Sequence, residues 1–360
     1  MAVFPEGTPC WVDAALPDVE AGKRFYGELL GWTFRQENGD PYVDAFSDGK
    51  LVAALAPKSD GRMPTVWNVY FATPDAVALA RRITEEGGRL IVPPRRVGTL
   101  GAVAVAADPG GAVFGLWQAG ERAGFEKQAK PGSFGWTEVY TWDKERADPF
   151  YERVFGFSGT DLAPEGAAAP GPDRGPQAGA GPVTAPGPGS GTHAGPGPVT
   201  DTGSRAATAP GPATARAPGS GTDTGSDTAA GPGPGPGPGA DVRIWSPRGA
   251  EPGEDTAVGG RCVLTEPAFP KELPDHFLVY FCVEDCDATV AAAVRLGGRV
   301  QARPFDIPHG RIAVLTDDQG AAFAVLGQPA AGAGTRTRAA DEAADADDTE
   351  RGTRSVPESG

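Results

Sequence analysis

Twice in this 360-residue chain a tryptophan stands two residues before a carboxylate on the approach to a helix: Trp11 and Asp13 in CWVDAALPD, Trp136 and Glu138 in GWTEVYTWD. Side chains two apart on a strand share a face, so each pair sets an indole beside an acid, and the second adds Tyr140. Such a face suits a flat or apolar ligand bearing a cationic or hydrogen-bond-donating group. The ring supplies contact area and cation–π attraction, and the acid orients the polar end. An acid enclosed by indoles also has its pKa raised, which acid–base chemistry near neutral pH requires. Asp13 and Glu138 are therefore the candidate catalytic residues. For any one of these side chains plain packing is the competing reading.

Other chemistry is thinner. Cys10 and Cys262 are isolated, and Cys282 and Cys286 are joined by VED with no second pair nearby. Reduced, buried thiols are expected rather than a zinc site. His276, at a strand edge, reads as a surface or capping histidine. His309, alone in FDIPHGRIAVL, is weak as a general base. No P-loop, Ser-His-Asp order or dinucleotide fingerprint is present; the Gly-Gly pairs follow helices and precede strands, the reverse of a phosphate-cradling turn.

The elements that must carry these residues recur four times. After the first strand, Asp18 is a good N-cap, Ala21, Phe25 and Leu29 fall on one helix face, and Gly31 is placed to end the helix. Short strand-like runs follow, Trp32 to Gln36, Tyr42 to Phe46 and Leu51 to Ala56, separated by Asn-Gly and Asp-Gly turns. The same order restarts at WNVYFATPD, at Gly135 and at HFLVYFCVED. Tyr70-Phe71 matches Tyr280-Phe281, Gly87-Gly88 matches Gly297-Gly298, and ADPGGAVFGLW matches DDQGAAFAVL. Two tandem pairs of βαβββ units result. In the second unit Trp67, Val69 and Phe71 form the apolar face that packs on the helix, which leaves Asn68 and Tyr70 on the other. Pro149 inside the third helix predicts a bend or a late start near Ala147.

Composition sets the limits. The chain holds 53 Gly and 37 Pro, concentrated from about 160 to 240, where it offers no run of large apolar residues. That stretch reads as a disordered insert inside a hairpin of the third unit. The segment 329–360, with AADEAADADDTE, reads as a disordered acidic tail. A net charge of −15 argues against a nucleic-acid surface. No stretch approaches a membrane span, and the first residues lack a secretion pattern, so a cytoplasmic protein is expected.

The motifs PDVEAGKRFYGELLGW, VYF and DPGGAVFGLW resemble the vicinal oxygen chelate superfamily of glyoxalases, bleomycin-resistance proteins and extradiol dioxygenases. The resemblance covers residues 8–119 and, around the insert, 133–328. It implies an α+β fold of two tandem domains, each a curved mixed sheet around a cavity. It also implies metal ligands on first and last strands, which fall here at Trp11, Asn68 and Gly115 in one domain and Trp136, Leu278 and Ala324 in the other. Indole, methyl and hydrogen cannot ligate a hard or borderline cation, and one amide is too few. No metal and no cofactor are therefore expected. The cavity faces instead carry Trp11, Asp13, Asn68, Tyr70, Val113 and Trp117, then Trp136, Glu138, Tyr140, Leu278 and Tyr280; Arg95, Arg96 and Arg303 read as solvated loop arginines, with charge at the cavity rims as the competing reading. This resembles the metal-free, sequestering branch: a protein, monomer or homodimer, that binds a small molecule such as a toxin or secondary metabolite, with no nucleic acid or membrane partner. The alternative is a glyoxalase-like lyase, hydroxylase or other oxidoreductase of the superfamily. A third reading is an interaction protein whose cavities are plugged by Trp11 and Trp136.

Overall fold

The computed structural model describes residues 4–36, 41–162 and 240–327. The N-terminal half runs β1 (Pro9–Leu16), α1 (Val19–Leu30), β2 (Thr33–Gln36), β3 (Val43–Ser47), β4 (Lys50–Pro57), β5 (Trp67–Ala72), α2 (Ala76–Glu85), β6 (Arg89–Val97), β7 (Gly101–Ala107) and β8 (Val113–Ala119). The C-terminal half repeats it as β9 (Ser133–Thr141), α3 (Lys144–Phe155), β10 (Ser158–Asp161), β11 (Val242–Ser246), β12 (Gly259–Val263), β13 (His276–Val283), α4 (Cys286–Arg295), β14 (Arg299–Ile307), β15 (Gly310–Thr316) and β16 (Ala322–Gly327). Each half is one eight-stranded mixed sheet, ordered β2-β3-β4-β1-β5-β8-β7-β6 in the first and correspondingly in the second. Among the described residues no helix is long and apolar enough to cross a membrane.

The recurring aspartates start the helices. Asp18, Asp75, Asp143 and Asp285 each accept a first-turn backbone N–H, satisfying donors the helix cannot. Gly31 and Gly156 end α1 and α3 at φ 70° and 74°, the left-handed cap that favours glycine. At Asp48-Gly49 both φ values are positive (51° and 72°), as a tight hairpin turn demands; Asn38-Gly39 lies outside the described residues. The late start expected near Ala147 is not found. With Asp143 capping, α3 begins at Lys144 and runs through Pro149, its sixth residue, where the ring forfeits the bond to the Glu145 carbonyl and crowds it.

β10 and β11 pair antiparallel from Ser158↔Ser246 to Asp161↔Arg243. The strand thus takes in the first two residues assigned to the insert, whose positions 163–239 lie outside the described residues, as do 328–360. The four cysteines are free, three of them buried and Cys282 half-buried.

The repeated motifs meet between the halves. Helix α1 packs against α4, and α2 against α3, around a single apolar core. Phe25 and Tyr26 of α1 abut Phe323 of β16, while Phe150 and Tyr151 of α3 reach toward Phe114 of β8. Tyr26 donates its hydroxyl to Asp317 at 2.8 Å, and Tyr151 donates to Asp108 at 2.9 Å. Each aspartate uses its other oxygen to gather backbone N–H groups of its own turn. Gly298 and Gly88 leave room for the Phe25 and Phe150 rings, which a β-carbon there would approach to 3.2 and 3.0 Å.

Candidate functional site

The opposite faces of the two sheets carry the tryptophan–acid pairs. A one-residue bulge in β1 between Pro9 and Trp11 sets Trp11 across from Tyr70 and Asp13 across from Asn68. Asp13 is buried with one donor on each oxygen: Asn68 Nδ2 donates to one at 2.9 Å and the Tyr70 hydroxyl to the other at 2.8 Å. Burial pushes the Asp13 carboxyl up to about 6, against the pull of those two donors. Burial, and then Asp13 itself, raise the Tyr70 phenol far above its ordinary value. The Tyr70 ring lies over Gly115, its neighbour on β8; a β-carbon at Gly115 would stand 2.0 Å from that ring.

Trp11 is held between the Phe125 ring, 6.0 Å away, and the Arg122 guanidinium, 5.4 Å from its centroid. Arg122 is fixed by a two-pronged pair with Asp44 (2.9 and 2.5 Å), and its carbonyl accepts from Trp117 Nε1 at 2.9 Å. Trp117 thereby braces the segment that covers Trp11. Val113 is exposed.

The second face reuses the plan with other donors. β9 bulges at the matching point, so that Trp136 faces Tyr280 and Glu138 faces Leu278; a β-carbon on Gly135 would strike Cys282 Sγ at 2.5 Å. Tyr280 donates to Glu138 at 2.8 Å, and the second carboxyl oxygen accepts from Trp136 Nε1 at 3.0 Å. Tyr140 and Tyr280 share a hydroxyl–hydroxyl bond of 3.2 Å. Burial raises the Glu138 carboxyl, opposed by these donors.

His276 departs from the surface or capping role expected of it. It is half-buried, stacks on Tyr140 at 5.3 Å with rings 16° apart, and its Nδ1 bonds the Pro274 carbonyl at 2.9 Å. That carbonyl only accepts, so the proton sits on Nδ1. Burial lowers the His276 pKa. His309 is exposed and pairs with Glu254 at 3.2 Å. Arg95, Arg96 and Arg303 are all exposed, and Arg95 acts electrostatically on Tyr70. Sequence reasoning missed Arg122, Asp44 and Phe125, and also Phe269, whose ring lies 5.9 Å from Tyr140. Arg122, Phe125 and Phe269 lie in irregular connections, which have no periodicity to betray a facing direction.

The side chains at the positions where the resemblance places metal ligands do not form a donor set for a metal. Trp11, Asn68 and Gly115 offer one amide, and the Tyr70 ring fills the space beside Gly115. Trp136, Leu278 and Ala324 offer none. Among the described residues no three His, Cys, Asp or Glu side chains converge.

A cleft of about 640 Å³ lies on the other side of the second sheet, lined by Lys144, Asp148, Asp161, Asp241, Arg243 and Arg261 among others. Its charges are spent on one another: buried Arg261 bonds Asp148 at 3.0 and 3.1 Å and Asp241 at 2.6 Å. Lys144 also pairs with Asp241, and Arg243 with Glu152 and Asp161. This network ties the ends of β10 and β11 to α3.

The chain matches the sequence model of the Glyoxalase/Bleomycin resistance protein/Dioxygenase superfamily over residues 11–116 and 133–325. It belongs to that superfamily. Among its relatives, the anthracycline biosynthesis protein DauV of Streptomyces sp. (strain C5) is 34% identical over 344 residues, covering 91% of this chain and 95% of DauV. The anthracycline biosynthesis protein DnrV of Streptomyces peucetius is 33% identical over 356 residues, covering 93% and 99%. Among solved structures, the Mn(II)-bound glyoxalase from Novosphingobium aromaticivorans aligns with a TM-score of 0.46 at 12% identity, over 91% of this chain and 85% of that one.

Proposed function

We propose that this superfamily member binds a planar aromatic secondary metabolite of the anthracycline class without a metal, using the tryptophan–acid faces of its sheets. The observation that carries this reading is chemical: the positions where the superfamily places metal ligands hold Trp11, Asn68 and Gly115 and their counterparts, beside a buried, hydrogen-bonded carboxyl. The relatives DauV and DnrV, named for anthracycline biosynthesis, supply the ligand class. Indole and phenol rings offer flat contact to a polycyclic body. Asp13 has one donor on each oxygen and keeps a free lone pair on both, so a ligand hydroxyl or ammonium can complete its shell. At pH 7 Asp13, with a pKa of about 6, is mostly ionised and attracts such a group.

The test is a fluorescence titration of the full chain with an anthracycline and with its aglycone, on protein whose metal content has been measured. Saturable binding is expected, weakened about tenfold or more in Asp13→Asn, which keeps the shape but removes the charge. Stoichiometric zinc, iron, nickel or manganese, together with a turnover lost on chelation, would overturn the metal-free reading.

The raised carboxyl pKa values beside tyrosine hydroxyls favour one further reading, a metal-independent enzyme using Asp13 or Glu138 as general acid or base. Under it, Glu138→Gln or Asp13→Asn abolishes turnover while binding survives. Turnover that persists with weaker binding favours sequestration.

A further inference from the structure

The two acid-bearing faces are copies of one ladder, and one rung separates them in kind. Beyond Asp13 on β1 the same face presents Ala15, one residue past the last pair with β5, Ala14↔Trp67, so that the chain entering β5 reaches this end of the ladder at Val66. Beyond Glu138 on β9 it presents Tyr140, opposite His276, with the two rings stacked. Ala15 is half-buried and Val66 is 39% exposed, whereas Tyr140 is 1% exposed.

The connections that cross these rungs differ likewise. Residues 264–275, between β12 and β13, bury Phe269 and Leu273 against Tyr140, Leu264, Leu278 and Tyr280 in one apolar cluster. That segment is tied down by Trp142 Nε1 on the Leu273 carbonyl at 2.7 Å and by Thr141 Oγ1 on the Asp275 carboxylate at 2.6 Å. Its counterpart, 58–66 between β4 and β5, leaves Met63 55% exposed. Val113, on the Gly115 side of β8, is exposed too, and Tyr42 and Arg95 stand near enough to Tyr70 to act on its charge.

We propose that the aromatic ligand enters the N-terminal half alone, over Ala15 and Val66 toward Asp13 and Tyr70. The C-terminal copy is held shut by Tyr140, Phe269 and Leu273, so that the residue at the Ala15/Tyr140 station decides which half binds. This rests on the function proposed above. A packed interior has no room for a polycyclic guest unless side chains leave; Asp13 and Tyr70 are themselves buried, so the guest enters by displacing the exposed Val66 and Met63 beside Ala15, where the C-terminal copy would have to expel Tyr140, Phe269 and Leu273.

The experiment combines a titration with a ligand-free measurement on the full chain. With the fluorescent anthracycline, wild type should bind one equivalent. Ala15→Tyr should weaken binding by more than about tenfold, since the ring would occupy the entry, and the smaller Ala15→Leu should rank between them. Phe269→Ala combined with Leu273→Ala should add a second equivalent. Two equivalents in wild type, or wild-type affinity in a folded Ala15→Tyr variant, would overturn the assignment. Hydrogen–deuterium exchange decides the closure independently of any ligand: peptides over 264–275 should exchange at least about tenfold more slowly than those over 58–66. Equal rates would defeat the closed C-terminal copy even if the anthracycline binds. Failure of the anthracycline to bind wild type, with the exchange difference present, would defeat the ligand class and leave the asymmetry standing.

Discussion

Asp13 and Glu138 hold the same station in two copies of one unit, and each has a donor on both oxygens, but the donors are recruited differently. Asp13 takes a phenol and an amide, both from the neighbouring strand β5. Glu138 takes its phenol from β13 in the same way, but Leu278 stands where Asn68 would be, and the missing donor is replaced by an indole from its own strand. A buried carboxyl must be satisfied; which group satisfies it is free to change. The exchange has consequences for space. Enlisting the Trp136 indole and linking Tyr140 to Tyr280 fills the second face with side chains, while the amide of Asn68 does the same electrostatic service in less volume; both acids are buried, and the first face differs in its edge, where Ala15 is half-buried and Val66 exposed.

The sharpest way to break this contrast is at the last strand. Gly115→Ala would press a methyl into the Tyr70 ring and detach it from Asp13, costing about 3 kcal/mol or more by overpacking and a lost bond. Ala324→Gly at the matching position, where alanine is already accommodated, should cost only about 1 kcal/mol. Chemical denaturation of both variants compares them directly, and equal losses would mean that Tyr70 and Tyr280 sit alike.

A middle-sized effect lies in pH. The Asp13 carboxyl titrates near 6 in the folded chain and near 4 when unfolded. The folded state holds the proton more tightly, so this contribution to stability is complete below about pH 4 and is lost as pH rises to about 6. Asp13→Asn should flatten that part of the stability profile by on the order of 3 kcal/mol. Retention of the wild-type slope would show that Asp13 titrates as an ordinary carboxyl.

The smallest expected effect is that of Tyr140→Phe. It removes a long 3.2 Å bond while Tyr280 keeps its hold on Glu138, so thermal denaturation should register a loss of about 1 kcal/mol or less. A loss several times larger would make Tyr140 part of the support of the acid and not merely its cover.

These contrasts were unequally legible in the sequence. Four Asp-capped helices, turn residues and strand alternation led to four βαβββ units, because all three signals are local. Alternation also put Asn68 and Tyr70 on the same face of β5, opposite the strand of Asp13, where both now donate to it. What local signals could not show is how the faces are covered. Phe269 and Leu273 close one face and Arg122 with Phe125 covers Trp11 from connections that have no period. The pairing of His276 with Tyr140 required the register between β9 and β13, which depends on a bulge at Gly135. Pro149 misled for the opposite reason: propensity argued against an early start for α3, and the Asp143 cap together with core packing of Phe150 and Tyr151 prevailed.

The two tyrosine–aspartate clasps between the halves also set an order of events. Tyr151 and Asp108 are 43 positions apart, whereas Tyr26 and Asp317 are separated by 291. On a ribosome the first clasp can close while synthesis is still under way, but Tyr26, already held by Trp32 and Trp67 of its own half, must wait for the last unit before its hydroxyl reaches Asp317. The N-terminal unit therefore spends most of translation with Phe25 lacking the Phe323 ring it finally abuts. A chain stopped before Asp317 would leave Phe25 so, an uncovered ring suited to chaperone capture.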